Sequence, residues 1–187
     1  MNKTAQGIDF FKNLKLTYKV IAIVLFIIVS LSLFYIRSNN IEPAARQLIK
    51  MTEIIQQQFN TKPDFWKLNS KWLIDNQILP KEMIKNNLII NTLGKEVVVG
   101  TGIMGQMLMP GAQSFDIVYK NLDYDECVGL STYPLPEQQL LRLLNITIIN
   151  GTQEKSFSWG GNEKIPLSQH KAKETCSKNN MIIWNFK

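Results

Sequence analysis

Residues 20–36, VIAIVLFIIVSLSLFYI, carry no charge, and Ser30 and Ser32 are the only strongly polar side chains among them. A helix of about 17 residues spans about 25 Å, slightly less than the hydrocarbon thickness of a bilayer. Leu16, Thr17 and Tyr18 extend the stretch if Lys19 snorkels to the head groups. The stretch predicts a transmembrane helix. The competing reading is a cleaved signal peptide. The apolar run is too long for one, and Arg37, Ser38, Asn39 and Asn40 offer no small-x-small cleavage site.

The charge on either side orients the span. The chain of 187 residues has a net charge of +6. Residues 1–19 hold Lys3, Lys12, Lys15 and Lys19 against Asp9 alone, so half of the surplus sits there. A basic N-terminal flank predicts a cytoplasmic tail over 1–19, the span over 20–36 and an exported C-terminal part. The remaining charge is too dispersed for a nucleic-acid surface. The exported part is long enough for one modest globular domain.

Cys127 and Cys176 are the only cysteines, and both lie in the exported part. An oxidising compartment favours a disulfide between them, and two buried free thiols are the other reading. With a single histidine, the chain lacks the ligands of a standard zinc site.

Helical periodicity continues beyond the membrane. Ile41, Ala45, Leu48, Thr52, Ile55 and Phe59 recur at spacings of three and four and form one stripe, the helix-packing face. Arg46, Lys50, Glu53 and Gln57 fall largely on other faces. One long helix over about 16–59 is expected, kinked or restarted at Pro43. The amphipathic extension occupies 37–61 and the globular domain 62–187. Within that domain an aromatic-rich, helical segment runs from Phe65 to Ile78 and stops at Leu79-Pro80. Strands are expected over 95–99, 114–119, 145–149 and 181–186. Short helices are expected over 123–130, 137–144 and 168–176, the last capped by Ser168. Asn150-Gly151 marks a hairpin. The fold class is α+β, with a long N-terminal helix packed on a mostly antiparallel sheet.

Motifs that carry chemistry compete with plainer readings. Gly100, Gly102 and Gly105 spell GxGxxG after a strand, with Asp123 about 20 residues on. Pro110-Gly111 leaves no room for the helix such a loop must open, and the next strand follows too soon for a crossover. Asp123, Asp125 and Glu126 offer oxygens to a hard cation, but a solvated turn is the plainer explanation. His170 stands among lysines with no nucleophile in a recognisable motif. Asn145 and Asn150 match the glycosylation sequon, which matters only in a eukaryote. No catalytic constellation, cofactor or metal site emerges, so the expectation is a protein that is not an enzyme.

The order of parts resembles the type IVb pilins, including those of conjugative and secretion systems. The segments are LIDNQILPKEMI (73–84), NTLGKEVVV (91–99) and SFDIVYKNLDYDEC (114–127), then a late helix ending in Cys176 and a final strand. Leu79, Pro80 and Met83 match the first family motif. Asn91 and Gly94 match the second, although Leu93, Gly94 and Lys95 stand where Trp-Gly-Gly is common. Phe115, Ile117 and Cys127 match the third. The resemblance covers about residues 40–187 and implies a structural subunit of a pilus, conjugation or secretion assembly. Its partners would be the membrane and other subunits. It implies the bacterial inner membrane, a periplasmic C-terminal domain and a final place in a surface pilus. The other reading is a membrane-tethered periplasmic binding or adhesion module that forms no filament.

The N-terminus departs from that pattern. Pilins are cut after a glycine, so Gly7 and Ile8 would flank the cut. Lys12 would then take the fifth mature position, where the family has glutamate. Asp9, Lys15 and Lys19 would also enter the apolar helix, at several kcal/mol each without partners.

Overall fold

The computed structural model describes residues 21, 23–30, 40–60, 64–102, 112–151, 153–160 and 164–187. The chain forms two compact units, residues 1–39 and 40–187. In the first, residues 21 and 23–30 are helical and exposed, with Phe26 the most exposed of the large apolar side chains there, at 73%. Among the described residues, no helix is long and apolar enough to cross a membrane. Val20, Ala22 and residues 31–36 of the expected span lie outside them, as do Gly7 and Ile8. Residues 37–39, over which one continuous helix was expected, also lie outside them.

The second unit opens with helix α1, Ile41–Gln58. Pro43 falls in its first turn, where a missing N–H leaves no hydrogen bond unmade. The aromatic segment that follows is not one helix. A 3-10 turn, Phe65–Lys67, precedes a six-residue helix α2, Ser70–Asp75. Asn69 separates the two: its extended backbone pairs with Gly100, and its side chain accepts from Trp72 N at 2.8 Å to cap α2.

Among the described residues, seven strands make one sheet: β1 Ile84–Lys85, β2 Leu88–Ile90, β3 Glu96–Gly100, β4 Phe115–Leu122, β5 Leu143–Asn150, β6 Gln153–Ser158 and β7 Asn180–Phe186. Their order is β1-β2-β3-β4-β7-β5-β6, and every pairing is antiparallel. The antiparallel β3–β4 pair is incompatible with a parallel crossover at the glycine run that starts at Gly100. The β1–β2 hairpin was not foreseen. Its two turn residues, Asn86 and Asn87, both have positive φ, +52° and +59°, as a tight twisted hairpin requires.

Among the described residues, three more helices accompany the sheet: α3 Tyr124–Ser131, α4 Glu137–Arg142 and α5 Gln169–Thr175. One apolar core gathers the inner face of α1, the middle of β4, β5 and β7, and Cys127 and Val128 of α3. Phe115, Tyr119, Trp184 and Phe186 are among its largest fully buried side chains.

Candidate assembly interface

The α1 stripe is spent inside its own unit. Ala45, Leu48, Thr52 and Ile55 are buried, and Ile41 and Phe59 are half-buried against the core. Ala44, Gln47 and Met51 are buried as well, so the covered face is wider than the six-residue stripe. Thr52 donates its hydroxyl to the Leu48 carbonyl at 2.9 Å, which lets a polar residue sit there. Gln47 behaves like a short piece of strand. Its Nε2 donates to the Ile90 carbonyl at 2.9 Å, and its Oε1 accepts from Thr92 N at 2.8 Å. The helix is thereby stitched to the end of β2. The opposite face of α1 stays in solvent with Glu42, Arg46, Lys50, Glu53 and Gln57. Glu42 meets Arg46 at 2.6 Å across one turn, and the hydrogen bond holds the guanidinium above its ordinary pKa.

Two more contacts fix where the helix lies. Tyr119 on β4 donates its hydroxyl to the Ala44 carbonyl, and burial raises the Tyr119 pKa above its ordinary value. At the far end, rings step from Phe59 to Phe65 (5.0 Å), Phe65 to Phe115 (4.9 Å) and Phe115 to Phe186 (5.8 Å). These aromatic contacts lead from the end of α1 into the centre of the sheet.

The C-terminal half is clamped separately. Cys127 of α3 and Cys176, just beyond α5, are joined by a disulfide with their Cα atoms 5.9 Å apart. Asn180 ties the same region through its amide, which donates to Ser177 O at 2.7 Å and Leu122 O at 3.1 Å. Its oxygen accepts from Ser177 N at 2.7 Å. The Asn150 amide donates to the Thr175 carbonyl, so the β5–β6 hairpin is pinned to the end of α5. Nothing in the sequence pattern singled out Gln47, Tyr119 or Asn180. A polar residue at the start of a β-rich run, as Asn180 is before Met181, was the one available signal.

The other sequence candidates have local employment. Asp123 and Glu126 form a capping box on α3, at 2.9 and 2.8 Å, and Lys95 stands 3.8 Å from Glu126. His170 is exposed on α5, 3.6 Å from Glu174. Among the described residues there is no cluster of His, Cys, Asp and Glu able to hold a metal ion. The geometry is that of a sheet with a helix docked along it.

The family model for Bundlin matches residues 37–183. The chain belongs to the Bundlin family of type IVb pilins. Its fold is similar to that in the crystal structure of TcpA, a type IV pilin from the Vibrio cholerae El Tor biotype. The TM-score is 0.55 at 11% sequence identity, over 80% of this chain and 99% of the TcpA chain. No curated protein sequence matches. In Bundlin-family terms, the matched region takes in α1, both cysteines and all seven strands but for the end of β7, and leaves out most of the 1–39 unit. The chain is a pilin subunit, and the α+β class expected from its sequence, with an amphipathic helix packed on an antiparallel sheet, is the fold of residues 40–187.

Proposed function

We propose that the chain is a non-enzymatic, single-pass membrane subunit that assembles with other pilin or secretion-system subunits. The observation that carries this reading is the docking of α1. The apolar face of the helix is consumed within the domain, while a charged face with Glu42, Arg46, Lys50 and Glu53 stays open along the helix. In this reading residues 20–36 anchor the chain, residues 1–19 face the cytoplasm and the disulfide-clamped domain lies in the periplasm. A surface pilus is then the destination if Gly7–Ile8 is cut. Lys12, Lys15 and Lys19 favour a second form of the same function, in which the segment is retained and the domain serves as a fixed scaffold.

The test is the intact mass of protein extracted from native membranes, with co-purification of its partners. Loss of residues 1–7 together with recovery of other pilus subunits supports the filament form. A full-length mass with recovered inner-membrane pilus or secretion components supports the scaffold. A chain that brings down no such components is a lone adhesion module, and the proposal fails.

A further inference from the structure

Between α1 and the β1–β2 hairpin lies a cleft of about 360 Å³. Pro43, Met83 and Ile90 give it an apolar lining. Arg46, Lys50 and Lys85 also line it, against Glu82 as the one acidic lining residue. Lys50 and Glu82 face each other at 3.6 Å with both side chains largely in water, a weak pairing. Arg46 is already held by Glu42 at 2.6 Å, so the positive surplus of the cleft rests on Lys85 and the weakly paired Lys50.

Asn91 stands in the wall, 4% exposed. Its side-chain oxygen accepts from Leu93 N at 3.0 Å and Lys95 N at 2.9 Å, which fixes the orientation of the amide. Among the described residues its Nδ2 has no hydrogen-bond partner. A buried donor without an acceptor is unfavourable, and a bound group can supply what the chain does not.

We infer that this cleft receives a carboxylate from an acidic segment of a partner protein. A carboxylate accepts hydrogen bonds and donates none, so it answers both the lone donor and the surplus of cations. A neutral hydroxyl answers only the first, and an ammonium group neither. The apolar lining favours a glutamate side chain over a bare inorganic anion, because its methylenes cover Pro43, Met83 and Ile90. The Asn91 nitrogen is buried in the free chain, so binding requires a local shift of the cleft wall that exposes it. The inference does not depend on whether the chain polymerises.

The test uses full-length, 15N-labelled protein in non-ionic micelles, titrated with N-acetyl-triglutamate amide while the Asn91 side-chain amide resonance is followed. The expected result is a saturable shift that the triglutamine peptide does not produce. Lys50→Gln with Lys85→Gln should weaken it by about tenfold or more. An equal shift with inorganic phosphate makes the cleft a general anion site and overturns the assignment to a peptide. A shift that grows with protein concentration in the absence of peptide assigns the cleft to a second copy and also overturns it. No saturable shift with the glutamate peptide overturns it outright.

Discussion

The Tyr119 hydroxyl reaches from the middle of β4 to the Ala44 carbonyl, 3.0 Å away, and ties the first turn of α1 to the sheet. Tyr119 is fully buried and packs edge-on against Trp184 at 5.2 Å. Tyr119→Phe keeps the ring and removes one hydrogen bond, so a loss of about 1 kcal/mol is expected at pH 8. Burial raises the folded-state pKa above the unfolded value of about 10. The neutral phenol therefore contributes its stability below about pH 10, and that contribution is lost as the pH rises further. Denaturation of wild type and Tyr119→Phe at pH 8 and pH 11 checks both points: the variant is the weaker at pH 8, and the gap closes at pH 11.

Gly129 on α3 lies against Ile41 of α1. A Cβ placed there would meet Ile41 Cγ2 at 3.0 Å. Gly129→Leu should destabilise the domain by about 1–3 kcal/mol through overpacking. Ile41→Ala in the same chain should recover more than half of that loss. A double-mutant cycle measures the coupling, and additive effects would disprove the contact.

Reducing the Cys127–Cys176 bond opens a loop with a sequence separation of 49. The chain-entropy argument gives about 4 kcal/mol for a loop of that size. Denaturant midpoints with and without reductant should differ accordingly, and Cys127→Ser with Cys176→Ser should match the reduced wild type.

Gln47→Leu removes both bonds to the end of β2 and leaves Ile90 O and Thr92 N without their partner. A cost of about 1–3 kcal/mol is expected. Hydrogen exchange should accelerate at Thr92 while the amides of β4 keep their protection, because β2 lies near the edge of the sheet.

Much of this architecture is written in local pattern. The stripe from Ile41 to Phe59 has a strict helical period, β7 is a run of large apolar residues, and Ser168 caps α5 as its type suggests, accepting from Lys171 N at 3.3 Å. Where the pattern misled, two signals competed. The aromatics from Phe65 to Trp72 read as helix, but Asn69 takes an extended backbone with its side chain folded onto Trp72 N. Asn86-Asn87 was a readable turn hidden between very short strands. The contacts that position α1 were out of reach, because only the tertiary fold brings Gln47 to Ile90 and Thr92, and Tyr119 to Ala44. No local rule distinguishes a glutamine that faces water from one that completes a sheet.

The strand order has a consequence for how the domain comes into being. β7 is the last strand along the chain, yet it lies between β4 and β5. Without it the sheet divides into two pieces, β1–β4 and the β5–β6 hairpin, each with an open edge where β7 inserts. Its registered partners in β4, from Leu122↔Asn180 to Phe115↔Phe186, lie 58 to 71 residues away in sequence, so this pairing is long-range and carries loop-closure entropy. Until it forms, both naked edges are templates for mispairing with other chains. Both edges are closed only when β7 pairs, so shielding by a folding helper is of most use before that step.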